Sequence, residues 1–227
     1  MGGGEDQYLA GLWRSTLVVD LLWRSEEPRK SWRLPGQYAP TWSWASITGP
    51  IYYDEVVKTL VEDGLPKGFS VTDVAVDSTG APTVLMGSGC LVEMAMHSDY
   101  SPFRRVLRPV GAPVDLELAV AWDCTAPYQN HGAETVEEAI FVFAVFGVRP
   151  DRKGPYGILL RPFGQEGQFQ RAGYVSGYRQ ETRHRRWGSD GWLEEQVEPQ
   201  QGEGASWVWE EWAREVLGSQ QRRVEIM

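Results

Sequence analysis

Between residues 51 and 178 the chain is cut by Gly, Pro and Asp into short apolar runs, at 69–76, 89–97, 103–109, 116–123, 139–148, 156–162 and 168–178. Leu116, Leu118, Val120 and Trp122 share one face of their run. Phe169, Arg171, Gly173 and Val175 share one face of theirs, with Gln168 and Gln170 opposite. Residues 140–148 are continuously apolar, the pattern of a strand covered on both sides. Pro150-Asp151-Arg152-Lys153-Gly154-Pro155 and Gly164-Gln165-Glu166-Gly167 supply turn chemistry between successive runs and predict hairpins. Strands following one another without intervening helices predict a mainly β (α+β) fold, an antiparallel sandwich or a barrel-like domain.

The flanks differ. Residues 1–50 read as an N-terminal helical segment and a Trp-rich clasp. Leu9, Leu12 and Trp13 have helical spacing within 8–13, and Ser15 or Thr16 can cap a second turn carrying Leu17, Val18, Leu21 and Leu22 up to Trp23. A charged loop follows to Gly36. In Ala39-Pro40-Thr41-Trp42-Ser43-Trp44-Ala45-Ser46 a period of two puts Trp42 and Trp44 on one side of an extended segment, and Gly49-Pro50 then turns the chain. Residues 51–227 read as the β-rich domain. Within it, arginines followed by an acidic, Gln- and Gly-rich run predict a mobile loop over 179–204. Trp209, Trp212, Ala213, Val216 and Leu217 mark one face of an amphipathic helix over 206–218, capped by Ser206 and closed by Gly218. Alternation over 222–227 predicts a terminal strand.

The formal charge of −9 argues against a general nucleic-acid binder, which needs excess Lys and Arg to track phosphates. Two cysteines, Cys90 and Cys124, no N-glycosylation sequon at the sole Asn130, and no signal-peptide core in residues 1–30 lead to the expectation of a cytoplasmic protein. No apolar run reaches the ~18 residues that a spanning helix needs. Eleven tryptophans against seven phenylalanines mean that indoles fill the core or line a binding surface.

The ordered series Tyr8-Leu9-Ala10-Gly11-Leu12-Trp13, Asp20-Leu21-Leu22-Trp23, Ala39-Pro40-Thr41-Trp42-Ser43-Trp44-Ala45-Ser46 and Gly49-Pro50 resembles the region behind the heterokaryon-incompatibility (HET) domain of filamentous fungi. That family typically shows YxAGLW…LLW…APSWSWAS…GP; Thr41 stands where Ser is usual. Gly157-Ile158-Leu159-Leu160-Arg161-Pro162, Phe169-Gln170-Arg171-Ala172-Gly173-Tyr174 and Arg223-Val224-Glu225-Ile226 are similar to its late strands. The family's N-terminal blocks, beginning with a sequence like LSYVWG, are missing. The resemblance therefore implies the carboxy-terminal part of such a protein, as a fragment, a short gene model or a truncated paralogue. It further implies a non-catalytic recognition or regulatory role in fungal non-self recognition and cell death, with a protein partner or the N-terminal HET module as the binding partner.

Chemistry is sparse. His97 beside Asp99 is thinkable as a base and its orienting acid, but polar residues at a strand end are common. His131 lies in a turn-like stretch, and His184 sits among arginines that disfavour its charged form. Cys90 and Cys124 have no partner at metal-ligand spacing. Gly87-Ser88-Gly89 precedes no helix signal and is a poor phosphate loop. The expectation is no catalytic, cofactor or metal site. Trp13, Trp23, Trp42, Trp44, Gly49 and Pro50 are expected as structural anchors. Arg183, Arg185, Arg186, Trp187 and Trp192 form a candidate partner-binding group, with a solvated loop face neutralised by Glu194, Glu195 and Glu198 as the competing reading. A free-standing β-sandwich that binds a glycan or protein through exposed indoles is the alternative to the HET-type module.

Overall fold

The computed structural model describes residues 6–28, 30–35, 38–53, 68–98, 105–111, 118–124, 140–148, 154–176, 182–187, 193–198, 211–212 and 215–227. In chain order these form β1 (Tyr8–Leu9), β2 (Leu12–Trp13), α1 (Leu17–Asp20), β3 (Trp23–Ser25), a 3-10 turn (Trp44–Ser46), β4 (Ile51–Tyr53), β5 (Phe69–Val76) and β6 (Pro82–Ser98). There follow β7 (Arg105–Pro109), β8 (Ala119–Trp122), β9 (Ile140–Val148), β10 (Pro155–Pro162), β11 (Gln168–Ser176), β12 (Thr182–Trp187), β13 (Leu193–Glu198) and β14 (Arg222–Ile226).

Strands β5 to β11 and β14 make one eight-stranded sheet. Because β10 pairs with both β9 and β11, the path β10–β9–β6–β14–β11 returns to its start, and the sheet is barrel-like. All its pairs are antiparallel except β11 with β14. The long β6 is its spine: the first half lies between β5 and β14, the second between β9 and β7.

The continuous apolar run of β9 explains the core. Its odd positions Phe141, Phe143 and Val145 join Cys90, Met94, Leu107, Leu118, Leu159 and Val175 in one cluster. Its even positions Val142, Ala144 and Phe146 join a second cluster that includes Ile158, Leu160, Val224, Ile226 and the N-terminal Leu9, Leu12 and Trp42. Both faces of the strand are therefore dry. At ~25 cal/mol per Å² of apolar area, two-sided burial of this kind is the main stabilising term.

Strand β10 pairs with β9 and with β11, as the predicted hairpins require; β5 and β9 fall on the apolar runs at 69–76 and 140–148, and β14 falls on the terminal alternation. Strand β6 starts at Pro82, ahead of the expected 89, because Gly87 and Gly89 are strand residues. A Cβ on Gly87 would stand 2.4 Å from the Phe69 ring, and one on Gly89 2.5 Å from it.

The N-terminal helices are corrected. Residues 8–13 form the β1–β2 hairpin, turning on Ala10 (φ 48°) and Gly11 (φ 97°), the positive-φ pair that a two-residue hairpin turn requires. Only Leu17–Asp20 of the second turn is α-helical, since Trp23–Ser25 leaves to pair with Ile51–Tyr53. The Trp42/Trp44 segment is a turn leading into the 3-10 turn rather than a strand; Ser43 Oγ accepts from Ala45 N at its start. The predicted loop over 179–204 is also corrected. Thr182–Trp187 and Leu193–Glu198 pair as a hairpin whose register sets Arg185 opposite Glu195 and Arg186 opposite Glu194. In the C-terminal segment residues 211–212 and 215–217 are helical, and Gly218 N and Ser219 N close the turn on Glu215 O and Val216 O. Ser206 lies outside the described residues. No described helix is long and apolar enough to cross a membrane.

Candidate functional site

The described residues with the densest polar chemistry lie where the N-terminal clasp meets β11. Arg171 is on the face of β11 that its alternation marks as apolar, and its side chain is fully buried. A guanidinium there must be paired, because an isolated buried charge costs several kcal/mol. Its Nε donates to Asp123 Oδ2 at 3.0 Å and its Nη2 to Asp123 Oδ1 at 3.2 Å. Nη1 and Nη2 also donate to Leu21 O and Trp23 O, and the guanidinium carbon stands 3.7 Å from the centroid of the Trp23 ring. Arg33 approaches from the other side, donating through Nη2 to Asp123 Oδ2 at 3.1 Å and to Arg171 O at 2.9 Å. Its Nη1 donates to Ser46 Oγ at 2.7 Å and to Thr41 O at 3.2 Å.

Two guanidiniums thus share one carboxylate. Burial pulls the Arg171 guanidinium below its usual value, Asp123 opposes that shift, and Arg33 adds to it. The arrangement is a fastening: its donors are spent on carbonyls, the Ser46 hydroxyl and one carboxylate. Thr41 extends it. Its N donates to Met227 O at 2.9 Å, its Oγ1 donates to the same oxygen, and Arg171 N donates to Thr41 Oγ1.

The motif series is drawn together in space. Trp44 Nε1 donates to Gly11 O at 3.0 Å, and a Cβ on Gly11 would sit 2.9 Å from the Trp44 ring. Ser43 Oγ donates to Ala10 O. Trp23 Nε1 donates to Trp42 O at 3.0 Å. Gly49 (φ 97°) lies against Ser31, whose Oγ is 2.8 Å from Ser25 Oγ, and Pro50 O accepts from Glu26 N. Trp23 and Trp42 are fully buried and Trp44 is half-buried. Trp42 Nε1 has no acceptor among the described residues, an orphaned donor that costs on the order of 1–3 kcal/mol.

Trp13 is different. It is 50% exposed and packs edge-on against Tyr8, with ring centroids 5.1 Å apart and planes 66° apart, so its share in anchoring is small. Trp32, Tyr38 and Phe163 are exposed as well.

Arg183, Arg185, Arg186, Trp187 and His184 fall in β12, whose backbone alone is described, and Trp192 lies outside the described residues. Asp99 and His131 also lie outside them; His97 is a β6 residue of which the backbone is described. Cys90 and Cys124 are both buried free thiols, and burial pushes the Cys90 thiol up. Among the described residues no three His, Cys, Asp or Glu side chains are grouped to hold a metal. The sequence reading missed Arg33, Asp123 and Arg171 as a set. The available signal was Arg171 itself, a charge on the apolar side of an alternating strand.

Against models of known protein families, curated proteins and solved structures, the chain gives no match.

Proposed function

We propose that the chain is a non-catalytic recognition or regulatory module of the fungal heterokaryon-incompatibility type, which engages a protein partner or an N-terminal module of the LSYVWG kind. One observation carries this reading. The residues of the YxAGLW, LLW and SWSWAS series bond to one another across the clasp, through Gly11 with Trp44, Ala10 with Ser43, and Trp23 with Trp42. A motif whose members fasten each other reports a shared architecture rather than a reaction. The outer surface of the same clasp, with Tyr8 and Trp13, is the part left to face a partner.

The test is affinity capture of a separately expressed HET N-terminal module by this chain. Retention by the wild type that falls at least tenfold in a Tyr8→Ala, Trp13→Ala variant is expected. No retention by the wild type removes the reading.

A glycan- or protein-binding β module is the second reading, favoured by Trp13 at 50% and Trp32 at 58% exposure. Glycan stacking on a two-ring platform needs coplanar rings, and the Tyr8–Trp13 pair is T-shaped. A glycan array probed with wild type and Trp32→Ala decides it; a signal lost in the variant supports this reading, and a blank array ends it.

A further inference from the structure

We infer that the cavity over β6 and β14 is a binding site for a small ligand bearing one carboxylate and two ammonium groups, the charge pattern of a free basic amino acid. The cavity encloses about 470 Å³, within the range of small-molecule sites. Strand alternation builds its floor. Val224 is buried in the core, so its neighbours Arg223 and Glu225 stand together on the opposite, exposed face of β14. Met86 lies opposite Glu225 on β6 and adds apolar surface beside it. Thr72, at the irregular step where β5 shifts its register on β6, makes one wall, and its hydroxyl donates to Met86 O. The turn between β10 and β11 makes the other: Glu225 N donates to Gly167 O, which brings Glu166 to the same cavity.

The charges lining this cavity are not spent on one another. Arg223 and Glu166 pair with none of the described residues. Glu225 is held through Oε2, which accepts from Gln168 Nε2 at 3.2 Å, so its position is fixed while Oε1 stays available. Two residues of extended strand set Arg223 and Glu225 about 7 Å apart, a gap that a ligand's carboxylate and ammonium group can fill. Two carboxylates and one guanidinium leave the cavity with a net negative charge. A ligand with one carboxylate and two ammonium groups answers all three through charge-assisted hydrogen bonds. Its methylene chain then lies on Met86, whose flexible thioether adapts to it. Phosphate or a dicarboxylate would meet Glu166 and Glu225 as like charges and be turned away.

Calorimetric titration of the whole chain with L-lysine tests this, and saturable binding is expected. L-norleucine, which lacks the side-chain amine, and cadaverine, which lacks the carboxylate, should each bind about tenfold more weakly. Arg223→Gln should weaken L-lysine about tenfold and leave cadaverine unchanged, because only the carboxylate contact is lost. Glu166→Gln should weaken both by about tenfold, because both present an amine to it. Both side chains are exposed, so each variant should keep the thermal midpoint of the parent, and a lost signal then reads the site rather than the fold. No saturable binding of L-lysine by the wild type, equal binding of L-lysine and L-glutamate, or an affinity unchanged in both variants overturns the proposal.

Discussion

Phe143 is buried in a cluster of apolar side chains, while the buried Arg171 and the partly buried Arg33 hold two guanidiniums against one carboxylate and four main-chain carbonyls. The first region gains stability from area alone, and any side chain of similar shape would serve it. The second gains little net energy from its ion pairs, since desolvation offsets most of the attraction, yet it tolerates no missing partner. The barrel is therefore held by bulk and the clasp by complementarity.

The sharpest way to break this contrast is Asp123→Leu, which leaves Arg33 and Arg171 facing each other without a counter-charge. A loss of about 3–5 kcal/mol in urea unfolding is expected. A loss under about 1 kcal/mol would mean that the cluster is not closed as described. In the barrel, Phe143→Ala should cost about 3–5 kcal/mol through transfer and cavity terms. Unlike Asp123→Leu, it should leave the near-ultraviolet dichroism of Trp23 and Trp42 in place until global unfolding.

Gly11→Ala tests the clasp's backbone. A φ of 97° together with a Cβ driven into the Trp44 ring predicts a loss of about 1–3 kcal/mol, read from the thermal midpoint. No change in that midpoint would show that the Ala10–Gly11 turn is not constrained by Trp44.

Alkaline titration compares one tyrosine from each region. Burial pushes both Tyr53 in the clasp and Tyr156 in the barrel from 10.0 up to about 12, with Asp20 adding to the shift at Tyr53. The unfolded chain releases these protons first, so stability present below pH 10 is lost as pH rises towards about 12. Tyr53→Phe and Tyr156→Phe should each move the alkaline unfolding midpoint upward; a midpoint that stays put in both excludes these groups as its cause.

Trp13→Ala, the smallest effect, should cost less than about 1 kcal/mol, since a half-exposed ring loses only part of its edge contact with Tyr8. A larger loss would restore Trp13 to the anchors.

Most of the barrel is legible in the chain because strand periodicity is local: β5, β9, β10, β11 and β14 can be read from alternation, continuous apolarity and turn residues. Trp23 and Trp42 are equally legible as anchors. The 8–13 hairpin is not, because Leu9, Leu12 and Trp13 fit a helical spacing as well as a two-residue turn. In so short a stretch the choice fell to Trp44 and Ser43, which bond Gly11 O and Ala10 O from over thirty residues away. The Arg185–Glu195 and Arg186–Glu194 register likewise exists only after the chain has turned back on itself.

The sequence by itself determined a mainly β chain, the turn between β10 and β11, and the two-sided burial of residues 140–148. Those properties follow from side-chain period and turn chemistry, which act between neighbours. Only the tertiary structure decided that the sheet closes through β10 and that Asp123 stands between Arg33 and Arg171. Both depend on contacts between residues far apart in the chain, and a buried charge records its need for a partner without recording which residue meets it.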